Sequence, residues 1–148
     1  MCLCRYDSIV EGVGLDRVTA NFNLGLKTVD SGYLIPDQEV VNMAHWLLRN
    51  EGLFVGSSSA LNVCAAVRTA YELKNGKKSG GVSAGVSGVS DSAVGDETKD
   101  RLRIVTVICD NGNRHLSRLW NKDYIHTNYK LNWPESDVVP DCIQSLTT

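Results

Sequence analysis

One stretch constrains the fold more than any other: a short apolar run ends at a glycine and leads through three serines into an apolar helix. It spans residues 52–67 and has the sequence GLFVGSSSALNVCAAV. Gly56 allows a sharp backbone turn because it carries no Cβ. Serine at a helix entrance can accept from the first N–H groups, and the positive dipole end there also suits an anion or a ligand's polar edge. On these residues alone, capping of a buried helix and ligand binding both stay open.

The helix after the serines is predicted to run from about residue 59 to 75. Its first turns are apolar on nearly every side, which favours a place inside a layered protein. Burying the serine hydroxyls without partners would cost about 1–3 kcal/mol each, so they must meet backbone, water or a ligand. A packing helix precedes it: proline at 36 suits its entrance, and glycine at 52 suits its end.

A second apolar run predicts the central strand. Residues 104–109 are IVTVIC, a continuous β-branched run between turn signals, which is typical of a parallel strand buried on both faces. Residues 110–113 form a turn at its C-terminal end, the edge where open α/β sheets bind ligands. The sequence also predicts a short strand within 27–35 and a short helix over 114–121. These elements indicate the α/β class.

Two segments break the pattern. Residues 77–100 are Gly/Ser-rich and then mostly polar, which predicts a disordered insertion. Residues 122–148 show no clear period and are predicted to form a loosely packed tail. The whole chain of 148 residues has the length of one domain.

Charge and cysteine content narrow the function classes. The net charge is −2, which gives no reason to expect nucleic acid as a partner, and no apolar run approaches the roughly 20 residues of a membrane span. Five cysteines at irregular spacing suit a reducing compartment. Cys64 and Cys109 are predicted to be small core residues. Cys2 and Cys4 lack a second pair, so no metal site is predicted, and the three histidines are interpreted as structural or surface residues.

Three motifs in order resemble the C-terminal third of cysteine synthase, and the version here is most similar to fungal cysteine synthase-like proteins. They are EGVG at 11–14 with RVTAN at 17–21, EGLFVGSSS at 51–59, and VTVICDNG at 105–112 with Arg114 and SRL at 117–119. The resemblance covers roughly residues 8–75 and 102–121. It implies an incomplete three-layer portion of a fold-type II pyridoxal-phosphate enzyme (tryptophan synthase β-like), with a parallel strand core and packing helices. Residues 1–148 would then form a single partial domain.

The resemblance also implies a cofactor, pyridoxal 5'-phosphate, and places residues around it. Ser58 matches the serine that hydrogen-bonds the pyridine nitrogen. A neutral hydroxyl leaves that nitrogen largely unprotonated, whereas an aspartate would make the ring a stronger electron sink, so β-elimination and β-replacement are implied. Gly12 and Gly14 match a loop near cofactor and substrate that acts through its backbone, and Asp110 matches a supporting turn beside the ring.

Several expectations follow from what the resemblance requires. The family's Schiff-base lysine and glycine-rich phosphate loop lie upstream of Gly12, and no lysine of this chain matches the former. No catalytic residue is therefore predicted, and we expect the isolated chain to be inactive. The full-length protein is expected to be an intracellular homodimer, cytoplasmic or mitochondrial, acting on a small amino-acid substrate. The alternative is a non-catalytic α/β fragment that binds a partner subunit, since an exposed face of the helix at 59–75 would need a cover.

Overall fold

The computed structural model describes residues 8–13, 18–75 and 103–147, and their secondary structure is mainly helical. The helices are α1 (Ala20–Gly25), α2 (Asp37–Trp46), α3 (Ser57–Lys74), α4 (Lys122–Tyr129) and α5 (Asp141–Thr147). Shorter helical turns span Leu26–Thr28, Leu47–Glu51 and Gly112–His115. Within these ranges the β-structure is a single antiparallel bridge between Val55 and Asn111. None of the described helices combines the length and apolarity that crossing a membrane would require.

Helix α2 begins and ends where the sequence signals predict. Pro36 is its N-cap in an extended conformation, and Asp37 and Glu39 occupy the first turn, where carboxylates interact favourably with the helix dipole. The helix continues as a π-type turn to Glu51 and stops at Gly52, whose φ is +69°. A left-handed residue at that position favours glycine because other residues are strained there.

Helices α2 and α3 pack against each other and form the centre of the core. Helix α3 buries one stripe rather than its whole circumference, with Ala60 and Cys64 fully buried and Leu61 and Val67 only partly so. The core draws on both ends of the chain; its buried apolar residues include Ile9, Val40, Val41, Met43, Ala44, Val55, Leu119 and Ile125.

The sequence predicted a loosely packed tail over 122–148, but the described part of it, residues 122–147, contains two helices. Asn121 caps α4 by accepting from the Tyr124 N–H at 3.0 Å, and Ile125 is fully buried. Arg49 donates to the carbonyl oxygens of Pro134 and Glu135, which holds the connection to α5 against the end of α2. The predicted insertion at 77–100 lies outside the described residues.

The predicted central strand is where the structure differs most from the sequence. Residues 104–109 form neither a helix nor a strand and have no strand neighbour among the described residues, and Val105 is 93% exposed. A parallel strand needs neighbours to accept its backbone hydrogen bonds, and the described part of the chain supplies none. The prediction of a strand buried on both faces is therefore wrong here, and the three-layer α/β arrangement is not present in the described residues.

Smaller predictions also changed. In the segment 27–35 a helical turn ends at Thr28 and no strand follows, and in 114–121 the helical turn Gly112–His115 gives way to hydrogen-bonded turns instead of continuing as a longer helix. Cys64 is buried as predicted, whereas Cys109 is exposed because it lies on the uncovered segment 104–109.

Candidate functional site

Three segments that are distant in sequence meet at the N-terminus of α3. The Glu11 N–H donates to Ser57 Oγ at 3.2 Å. Ser59 Oγ accepts from the Cys109 N–H at 2.9 Å and from the Asp110 N–H at 3.3 Å. We call this meeting point the serine junction; it comprises residues 11–13, 56–59 and 109–112. All three motifs noted in the sequence contribute to it.

The turn after the segment 104–109 is attached to the chain before α3 by backbone hydrogen bonds. The Gly56 N–H donates to the Asp110 carbonyl at 3.2 Å, and the Gly112 N–H donates to the Phe54 carbonyl at 3.1 Å. These two bonds form the isolated bridge. They fix Asp110 directly beside the first residues of α3.

Gly56 is required by close packing. A Cβ at this position would lie 2.1 Å from Asp110 Oδ1 and 2.5 Å from His115 Nε2. Its φ of −81° is accessible to any residue, so the constraint is space rather than backbone conformation. The glycine lets the carboxylate and the imidazole approach the helix entrance.

The three serines divide into two that hold the junction together and one that does not. Ser57 and Ser59 are fully buried and hydrogen-bonded, as described above. Ser58 is partly exposed, and its hydroxyl makes no hydrogen bond to the described residues. The N-cap of α3 is Gly56, without a side-chain capping bond, so the capping interpretation does not describe these serines. Ser58 Oγ is available to a bound group.

Asp110 pairs with a histidine that the sequence reasoning had left as structural or surface. His115 Nε2 and Asp110 Oδ2 are 2.8 Å apart, and His115 is only 5% exposed. The second carboxylate oxygen, Oδ1, is buried without a partner. An unpaired buried acceptor is unfavourable, so Oδ1 is a second polar atom that suits a bound donor. The five-residue spacing across the turn carried no recognisable motif.

The glycine loop reaches the edge of the junction. Gly12 has φ +78° and no atom within 4 Å of a Cβ built there, so its backbone conformation is what favours glycine. Glu11 beside it pairs with Arg118 at 2.8 Å, which ties the loop to the turn after Asp110. Gly14 lies outside the described residues.

A buried histidine away from the junction behaves as a core residue. The His45 ring lies 4.6 Å from the Trp120 ring and 4.4 Å from the Trp133 ring, measured between centroids. Burial, and to a lesser degree the charge of Arg49, lowers the pKa of His45 to about 4. The imidazole is therefore neutral at pH 7.

Comparison with known families shows which family the chain belongs to. The family described as pyridoxal-phosphate dependent enzyme matches residues 3–88, more than half of the sequence. The chain belongs to this family. Its members use pyridoxal phosphate, and the family implies a fold-type II architecture, of which the described residues show helices and the bridged turn.

Named relatives agree with this family assignment. Cysteine synthase 2 of Emericella nidulans is 41% identical over 118 residues, covering 80% of this chain and 22% of the relative. Cysteine synthase 2 of Schizosaccharomyces pombe is 36% identical over 142 residues, covering 96% of this chain and 28% of the relative. Cysteine synthase 2 of Neurospora crassa is 37% identical over 116 residues, covering 78% of this chain and 20% of the relative. The chain thus spans about a quarter of the length of these relatives, and no solved structure matches it.

Proposed function

We propose that the chain is the C-terminal portion of a cysteine synthase-like, pyridoxal-phosphate-dependent enzyme. The reaction is a β-replacement that makes L-cysteine from O-acetylserine or serine. The relatives named cysteine synthase support this, since their similarity extends over 78–96% of the chain. The observation that carries the proposal is the unpartnered hydroxyl of Ser58 between two serines whose hydroxyls are engaged.

Ser58 is proposed to hydrogen-bond the pyridine nitrogen of the cofactor. Ser57 and Ser59 bind neighbouring segments, so the first turn of α3 is fixed and the direction of Ser58 is fixed with it. The cofactor supplies an electron-withdrawing ring that stabilises negative charge next to the substrate's α-carbon. A hydroxyl is neutral and holds the nitrogen without charging it, which suits β-replacement.

Asp110 and the glycine loop complete the proposed cofactor surroundings. Asp110 Oδ1 is buried and unpartnered beside Gly56, so it suits a donor presented by cofactor or substrate. His115 holds the other carboxylate oxygen in place. Gly12 and Gly14 are proposed to act through their backbones near cofactor and substrate. Together these residues hold one edge of the ring; none of them is assigned a proton-transfer role.

We further propose that this polypeptide alone is inactive. None of its lysines matches the family's Schiff-base lysine. The resemblance places that lysine and the family's glycine-rich phosphate loop before the position of Gly12. The longer protein is proposed to be a homodimer acting on a small amino acid, in the cytoplasm or mitochondria. Purified chain mixed with pyridoxal phosphate, O-acetylserine and sulfide is expected to give no cysteine and no visible absorption band of bound cofactor. Turnover together with that band would contradict this point.

A chimera tests the function itself. The matching region of the Emericella nidulans relative is replaced by this chain, and cofactor affinity and cysteine formation are measured. The chimera is expected to bind pyridoxal phosphate and make cysteine. Ser58→Ala is expected to weaken cofactor binding at least about tenfold, because a hydrogen bond to the cofactor is lost. A folded chimera that binds cofactor equally well with and without the Ser58 hydroxyl would refute the assignment of Ser58.

One observation favours the second candidate, a non-catalytic fragment that binds a partner subunit. Val105, Val107 and Ile108 are 93%, 62% and 50% exposed on a segment that has no strand neighbour among the described residues. An exposed apolar segment of this kind can pair with an added strand. Light scattering after gel filtration decides between the candidates: a chain that stays monomeric at high concentration and binds no other part of the enzyme argues against this alternative.

A further inference from the structure

Three helices bring together side chains that the proposed function does not use. Glu39 of α2, Cys64 of α3 and Cys142 of α5 are 4%, 0% and 3% exposed. One carboxylate oxygen and the two Sγ atoms all lie within 4.8 Å of one another. Cys64 lies nearly two helical turns beyond Ser58, on the inner face of the same helix.

The surrounding contacts orient these groups toward one another. The Cys142 N–H donates to Glu39 Oε1 at 3.3 Å, and Arg68 donates to Glu39 Oε2. The Cys64 thiol lies 3.9 Å from the Glu39 carbonyl oxygen. In protein metal sites the ligating carboxylates are themselves hydrogen-bonded by groups of this kind.

The charge of the cluster suits exchange of protons for a cation. The charges of Glu39 and Arg68 cancel. A divalent cation that forms two metal–sulfur bonds displaces two protons to solvent, so the net charge of the buried cluster does not change. The step involves no oxidation or reduction.

We propose that Glu39, Cys64 and Cys142 form a binding site for a thiophilic divalent cation of the zinc type. Metal–sulfur bonds of about 2.3 Å and metal–oxygen bonds of about 2.1 Å place ligand atoms roughly 3.5–4 Å apart, which needs only a small contraction of the observed cluster. The three protein ligands leave one position of a tetrahedral ion to be filled by a bound water molecule. The metal would tie α5 to α2 and α3.

Cobalt(II) binding tests the site, because thiolate-bound cobalt has an intense charge-transfer band in the near ultraviolet. The reduced full chain is used with Cys2, Cys4 and Cys109 changed to serine, so that only the two proposed ligands remain as thiols. We expect one cobalt per chain with the band present. Cys64→Ser or Cys142→Ser is expected to abolish it, and Glu39→Gln to weaken cobalt binding at least about tenfold. In the otherwise unchanged chain, Cys109→Ser is the matched control and should have no effect.

A second measurement does not depend on folding of the ligand variants. In the two-cysteine chain, zinc is expected to protect both thiols from alkylation, as read by mass spectrometry, and to raise the unfolding temperature. Absence of the cobalt band, or full alkylation in the presence of zinc, overturns the proposal. A chain that purifies with a Cys64–Cys142 disulfide and gives no band after reduction also overturns it and assigns the pair to redox chemistry.

Discussion

The helix pair α2–α3 and the segment 103–110 have comparably strong apolar patterns in the sequence, yet the structure treats them in opposite ways. Val40, Val41 and Met43 of α2 are completely buried, whereas Val105 of the segment is 93% exposed. A helix closes its backbone hydrogen bonds within itself, while a strand depends on neighbours for them. An apolar pattern with helical spacing therefore predicts the structure of the segment that carries it. An apolar strand pattern predicts a buried strand only where other segments of the protein supply the neighbouring strands.

The two regions meet at the serine junction, and α3 supports the segment there in place of a sheet. Asn62 of α3 donates to the Val107 carbonyl at 2.9 Å, and Ser59 accepts from the N–H groups of Cys109 and Asp110. The geometry proposed to hold the cofactor therefore depends on the first turns of one helix.

The largest expected effect contrasts one residue from each region. Met43→Ala is expected to lower the free energy of unfolding by about 3 kcal/mol, because it opens a cavity in the core. Val105→Ala is expected to change it by less than about 0.5 kcal/mol, because an exposed side chain loses little. Urea unfolding of the two variants measures both, and equal losses would mean that the segment is covered in solution, contrary to the comparison.

A somewhat smaller effect is expected where the regions touch. Gly56→Ala puts a Cβ against the Asp110 carboxylate and the His115 ring, and separating them is expected to cost about 2 kcal/mol of unfolding free energy. Gly32→Ala is the matched control, since no atom lies within 4 Å of its Cβ position. Thermal unfolding compares the two. A Gly56→Ala chain as stable as the control would show that the junction is looser than described.

The burial of His45 in the core predicts that the free energy of unfolding depends on pH. The pKa of His45 is about 4 in the folded chain and 6.5 for an ordinary histidine, the value expected in the unfolded chain. Between pH 4 and pH 6.5 the unfolded chain therefore binds a proton that the folded chain does not. The stability that neutral His45 contributes is therefore present above pH 6.5 and is lost as the pH falls toward 4, by about 1.8 kcal/mol between pH 7 and pH 5. His45→Phe should remove this loss, whereas His126→Gln, at an exposed position of α4, should retain it. Urea titrations at several pH values measure it, and an unchanged pH profile in His45→Phe would contradict the assignment.

The smallest expected effect is the difference in stability between Ser59→Ala and Ser58→Ala, two substitutions at adjacent serines. Ser59→Ala removes the acceptor for two backbone N–H groups and is expected to cost about 1 kcal/mol, with faster hydrogen exchange at Cys109 and Asp110. Ser58→Ala is expected to change stability by less than about 0.5 kcal/mol. If Ser58→Ala were the more damaging of the two, the Ser58 hydroxyl would already be engaged within the chain.

The sequence predicted best what depends on local signals. Pro36 and Gly52 set the limits of α2, and Gly56 precedes α3 as expected. Helices α4 and α5 were missed because they have 8 and 7 residues, too few for a clear period, and depend on burial of Ile125 and Cys142 rather than on pattern.

The candidate site could be found from the sequence only as a set of motifs. Their order indicated the family, which the comparison confirmed. The pairing of Asp110 with His115 was not predictable, because it depends on a turn that brings the imidazole to a glycine with no side chain. The grouping of Glu39, Cys64 and Cys142 was equally hidden, since each residue lies on a different helix. The role of Ser58 stays a prediction.

The most direct test of the central claim is the ¹⁵N resonance of isotope-labelled pyridoxal phosphate bound to the chimera. If Ser58 hydrogen-bonds the pyridine nitrogen, Ser58→Ala should shift that resonance, while Ser117→Ala, an exposed residue in the turns after Asp110, should leave it in place. A ring-nitrogen resonance that is the same with and without the Ser58 hydroxyl would contradict the account.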